Sequence, residues 1–68
     1  MAGKVFKKIQ VVGCAEKSFQ DAIEAAVGKA ANTLKGMSWF EVRELRGALK
    51  NGQVVEWQAT VEIAFKVE

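Results

Sequence analysis

The Asn51-Gly52 pair constrains this chain more than any other feature, because it stands between two long runs of alternating residues. Beyond it, Val55, Trp57, Ala59, Val61, Ile63, Phe65 and Val67 recur at every second position. Neighbouring strand residues face opposite sides of a sheet, so this spacing predicts a strand over 53–68 with one apolar face. Before the pair, Phe40, Val42 and Ala48 repeat at the same parity, and the segment 38–50 is the predicted partner strand. A two-residue Asn-Gly turn needs positive φ at both central positions, and its twist matches that of the flanking strands. The turn also sets the register, with Lys50 opposite Gln53.

Upstream, 4–12 places Val5, Ile9 and Val11 on one parity and Phe6, Lys8 and Gln10 on the other, a strand that Gly13 is expected to end. From 16 to 35 the apolar residues Phe19, Ala22, Ile23, Ala26, Val27, Ala30 and Leu34 advance in steps of three and four. Those steps form one helical stripe, opposed by Lys17, Asp21, Glu24, Lys29 and Lys35. Ser18 with Asp21 is one candidate cap; an earlier entry at Cys14 is the other. Gly36 is the expected left-handed terminator. The predicted fold is α+β, one β-α-β-β domain over 1–68.

Extending the register from the turn pairs Phe40 with Ile63, Val42 with Val61, Arg46 with Trp57 and Ala48 with Val55. That mostly apolar face is expected to pack on the helix. The other face pairs Trp39 with Ala64, Glu41 with Glu62, Arg43 with Thr60 and Leu45 with Gln58. Trp39 is thereby directed away from the helix. It either packs against a sister subunit or offers its ring to a planar ligand. Gln58 lies six residues along its strand from Ala64, which at about 3.3 Å per residue is roughly 20 Å. If Gln58 and Trp39 touch one small ligand, they come from different subunits unless a β-bulge alters the register. By itself Gln58 reads equally as a surface amide, and Arg46 as an ion-pair partner of Glu44 or Glu56.

A chain of 68 residues buries only about 60% of its unfolded surface and is marginal as a monomer. With one cysteine, Cys14, and no histidine, neither a disulfide nor a zinc site supplements the core, which leaves self-association. Half the residues are hydrophobic, which points the same way. Ten basic and eight acidic side chains are too balanced for a nucleic-acid partner. The N-terminus has neither a continuous apolar stretch nor a cleavage site, so no signal peptide and no membrane span is expected, and a free cysteine suits a reducing cytoplasm. Cys14, placed near a helix start, has no partner histidine or second cysteine, so no catalysis by it is expected. Without histidine or tyrosine the chain lacks the usual proton handlers, and no enzymatic activity is expected.

The segments K-V-F-K-K, S-W-F-E-V-R-E-L-R-G and W-Q-A-T-V-E-I-A-F-K-V, taken in that order, resemble the dodecin family of small flavin-binding proteins across essentially the whole chain. The resemblance implies a three-stranded antiparallel sheet wrapped around one helix, with twelve subunits in a hollow homododecamer. It implies flavins, usually FMN in bacterial members and otherwise riboflavin or FAD, stacked as antiparallel pairs at two-fold interfaces. Trp39 would cover each ring and Gln58 would bond its polar edge. Arg46 stands where bacterial members carry an arginine linked to the flavin and its phosphate. Lys66 replaces a residue that is often arginine, keeping the charge but not the bidentate fork. Cys14 stands where a serine or threonine cap is expected. Some members also bind coenzyme A through residues near the termini, here Lys4 or Lys7. The implied role is flavin storage and photoprotective quenching without turnover, because tryptophan and a second flavin cover both ring faces. Two other readings stand beside it: a flavin-free shell or coenzyme A carrier, and a flavoenzyme whose substrate displaces one flavin.

Overall fold

The computed structural model describes residues 3–68. The order is β1 (Phe6–Ala15), α1 (Phe19–Ala30), β2 (Met37–Lys50) and β3 (Gln53–Lys66). Asn51 and Gly52 take φ of 53° and 76°, as a two-residue hairpin turn demands, and Lys50 pairs with Gln53. β1 returns antiparallel to the free side of β3, so the sheet order is β1-β3-β2 with β3 central.

The helix rests on β1 and β3 through its alanine stripe. Ala22, Ala26 and Ala30 are buried against Ala59, Val61 and Ile63, flanked by Ile9, Val11, Ile23 and Val27. Side chains this small let the helix axis come close to the sheet. Gly13 completes the approach: a Cβ there would overlap the Ala22 carbonyl oxygen. Val61 and Ile63 are the largest fully buried side chains, and each contributes about 2 kcal/mol by burial.

Gly13 does not end β1, which runs on to Ala15. Glycine is used there for closeness, not for a turn. Cys14 is therefore an exposed strand residue opposite Gln58, not a helix cap. Ser18 is the cap, its Oγ accepting from the Asp21 amide at 3.0 Å. The helix stops at Ala30, short of the expected Lys35, and the chain turns through 31–33. Gly36 does adopt positive φ, 74°, but as the entry to β2 rather than as the helix terminator.

The register near the turn and near Trp39 is as expected, but not between them. Phe40 faces Ile63 and Val42 faces Val61; a bulge between Val42 and Glu44 then inserts one residue into β2. Glu44, not Arg43, lies opposite Thr60; Leu45 faces Ala59; Arg46 faces Gln58, not Trp57; Gly47 faces Trp57; and Ala48 faces Glu56. A further irregularity between Ala48 and Leu49 restores the turn register. Phe40 is on the helix side yet 48% exposed, because the helix covers β1 and β3 and stops short of β2. It borders an open groove with Ile23, Val27 and Gly28 instead of filling the core.

Candidate functional site

The helix-free face of the sheet is the candidate site. Ala64 of β3 is paired with Lys8 on one side and Trp39 on the other. Its small, buried side chain leaves room for the Phe6 and Trp39 rings to meet, with centroids 4.8 Å apart and planes tilted at 57°. Trp39 is 44% exposed, so one part of the indole rests on Phe6 and the rest is open. The indole Nε1–H donates to Glu41 Oε2 at 2.9 Å. Both neighbours hold the ring from within the subunit.

Glu41 is itself fixed by charge. Lys8 Nζ lies 3.1 Å from Glu41 Oε2 and 3.3 Å from Glu62 Oε1, and Arg43 Nη1 lies 3.3 Å from Glu41 Oε1. Arg43 also reaches Glu62 at 3.8 Å. Two carboxylates directly opposite on β2 and β3 would repel; Lys8 from β1 and the bulged Arg43 neutralise them. The indole hydrogen bond, then the Lys8 ammonium, hold the Glu41 carboxyl below its ordinary range. Hydrogen bonds to Glu41 and then Glu62 push Lys8 up.

Further along the same face, Arg46 Nε donates to Gln58 Oε1 at 2.6 Å, and Gln58 Nε2 donates to Glu56 Oε1 at 2.7 Å. A cation on the carbonyl and an anion on the amide orient Gln58 unambiguously. One N–H and one acceptor lone pair stay free for a ligand. Arg46 thus meets Gln58, and reaches Glu56 only through it, rather than pairing directly with Glu44 or Glu56.

Of the residues singled out from sequence, the structure brings Arg46 and Gln58 together and places Trp39 and Lys66 on the same face. Lys66 pairs with Phe6 across the strands, at the Trp39 end. Gln58 lies six positions along β3 from Ala64, so Trp39 and Gln58 of one subunit stand roughly 20 Å apart. Lys7 falls on the helix-side parity with Ile9, and Lys4 lies ahead of β1; neither joins this face. Sequence reasoning missed Phe6, Lys8 and Glu41 as supports of Trp39. Parity puts all three on the Trp39 face, but only the pairing of β1 with β3 brings Phe6 and Lys8 to it.

The fold and this face define a small α+β subunit with an uncovered, aromatic-bearing sheet surface. The sequence profile of the dodecin family matches residues 5–68. A dodecin of Thermus thermophilus is 42% identical over 66 residues, covering 97% of this chain and 96% of that protein. A crystal structure of a Thermus thermophilus protein, 42% identical with 97% of each chain covered, superposes with a TM-score of 0.92. The dodecin of Streptomyces coelicolor, 34% identical, gives 0.93 with 100% of this chain and 97% of that one covered. The chain belongs to the dodecin family, small binding proteins whose members in general bind flavins.

Proposed function

We propose that this chain stores flavin without turning it over, with FMN the preferred form over riboflavin or FAD, in pairs stacked between Trp39 rings where two copies meet. The observation that carries this reading is the half-exposed Trp39 indole, held by Phe6 and Glu41 on a face no helix covers. Two-fold symmetry turns one such ring into a slot between two. Each aromatic contact in the slot adds about 0.5–1.5 kcal/mol beyond area burial. Gln58, oriented by Arg46 and Glu56, supplies the free donor and acceptor that a flavin's imide edge requires. The distance between Trp39 and Gln58 within one subunit supports a site completed by a neighbour.

Self-association into a hollow dodecamer is part of the proposal. Val42, Leu45, Leu49, Val54 and Val55 are 41–71% exposed along the hairpin, more apolar surface than a small monomer ordinarily leaves bare. An indole stacked on flavin donates an electron to the excited ring, and the flavin is quenched rather than photoreactive. With both ring faces covered, no substrate reaches the flavin. Arg46 and Lys66 are the candidate phosphate contacts, and a cytoplasmic location is proposed with them. No helix among the described residues is long and apolar enough to cross a membrane.

Titration with FMN and riboflavin, followed by flavin fluorescence and by the mass of the assembly, tests the reading. Strong quenching saturating at one flavin per subunit is expected, abolished in Trp39→Ala and weakened in Gln58→Ala. Unchanged fluorescence refutes it and favours a flavin-free shell or coenzyme A carrier, for which Lys4 and Lys7 would be the contacts. Sustained turnover with a reductant refutes the non-catalytic part.

A further inference from the structure

We infer that Glu41 is a positioning residue for the flavin slot, setting the orientation of the Trp39 indole through its Nε1–H. The inference rests on the flavin reading, but its geometry is independent of it. A tryptophan half in solvent has two side-chain torsions to fix before its ring can stack, and a freely turning ring loses that freedom on binding. Phe6 limits the ring only by contact, at a 57° tilt. The directional restraint is the 2.9 Å bond to Glu41 Oε2, made two residues along the same strand face.

Glu41 can hold this role because the two cations facing it fix it in turn. Lys8 of β1 bonds the same Oε2 at 3.1 Å, Arg43 of β2 takes Oε1 at 3.3 Å, and Glu62 of β3 shares both cations. The carboxylate is therefore anchored on both oxygens and its plane is set. Lys8, Arg43 and Glu62 act on the ligand only through Glu41, and Glu41 acts only through the indole. The arrangement leaves the flat face of Trp39 free while its edge is tied.

Removing the acceptor in Glu41→Ala is expected to weaken FMN about tenfold, the scale of one hydrogen bond to a charged group. Glu41→Gln, which keeps an acceptor oxygen, recovers most of that loss. In a Trp39→Phe background, which keeps a ring but has no N–H, Glu41→Ala changes affinity by less than about twofold. An equal loss in both backgrounds overturns the inference, since Glu41 would then act by another route. The Trp39 indole N–H proton resonance of flavin-free protein is the second measurement, and it is read in Glu41→Gln as well should Glu41→Ala fail to assemble. It moves upfield in either variant, because a carboxylate deshields the proton most; an unmoved signal overturns the inference whether or not flavin binds. Wild-type protein that binds no flavin sinks the functional reading instead, and the resonance still decides the contact.

Discussion

Adding one methyl group at Gly13 and one at Gly28 should move stability in opposite directions. At Gly13 an alanine Cβ would overlap the Ala22 carbonyl oxygen and stand 2.9 Å from the Ala26 Cβ and 3.0 Å from the Ala26 nitrogen. Two of those three obstacles are helix backbone, so no rotamer change relieves them. The helix must retreat by roughly 1 Å, which forfeits about a quarter to a half of each dispersion contact along the interface. That interface joins Ala22, Ala26 and Ala30 to Ala59, Val61 and Ile63, the buried core of the subunit. Overpacking of this kind costs about 3 kcal/mol, the upper end of its usual range, because both partners are main chain. At Gly28, by contrast, an added Cβ meets nothing within 4 Å, and the residue sits exposed in the helix, where alanine is favoured by about 1 kcal/mol. Urea unfolding at one fixed protomer concentration, followed by far-ultraviolet circular dichroism, measures both. With a slope of about 1 kcal/mol per molar, the midpoint should fall by about 3 M in Gly13→Ala and rise by about 1 M in Gly28→Ala. A Gly13→Ala midpoint within about 0.5 M of wild type would refute the close approach of helix and strand.

Arg46→Ala separates two roles of the guanidinium: if it meets phosphate, FMN affinity falls at least tenfold while riboflavin affinity falls much less. If it only orients Gln58 through the 2.6 Å bond, both fall alike, and parallel titrations distinguish the two. Stability should depend on pH at both ends of the Lys8–Glu41 contact. Glu41 has a folded pKa below its ordinary 4.5, so its contribution is complete above 4.5 and disappears as pH falls through the lowered value. Lys8 is raised above 10.5, so its contribution is complete below 10.5 and disappears as pH rises through the raised value. Urea midpoints of wild type and Glu41→Gln should converge at acid pH, and those of wild type and Lys8→Met at alkaline pH; a constant gap in either series contradicts the contact.

Element order was legible because each signal was local. The Asn51-Gly52 turn, the alternation of β3 and the alanine stripe of α1 each specify their element without distant information. The pairing of Trp39 with Ala64 is as expected because the irregularity between Ala48 and Leu49 and the bulge between Val42 and Glu44 offset the two strands in opposite senses and cancel. What sequence could not carry was closeness and interruption. Gly13 looks like a strand end in one dimension and is a contact point in three. No residue type announces the bulge after Val42; arginine at a bulge reads like any other exposed arginine. Phe40 looked like core because parity was known while the width of the helix footprint was not. The Glu41 bond to the Trp39 indole was within reach, two residues apart on one face, but needed Lys8 from the opposite edge to make it stand out.

The extra residue that β2 accommodates between Val42 and Glu44 transposes the pairing from Glu44 to Ala48. From Trp39 to Val42 the odd-numbered residues of β2 look outward; from Glu44 to Ala48 the even-numbered ones do. A strand paired without that extra position would set Leu45 instead of Arg46 beside Gln58, greasing the rung that ought to be wet, while the tryptophan end stayed untouched. The two halves of the candidate pocket are thus indexed separately, and the bulge decides which side chain stands beside Gln58 without touching the Trp39 end.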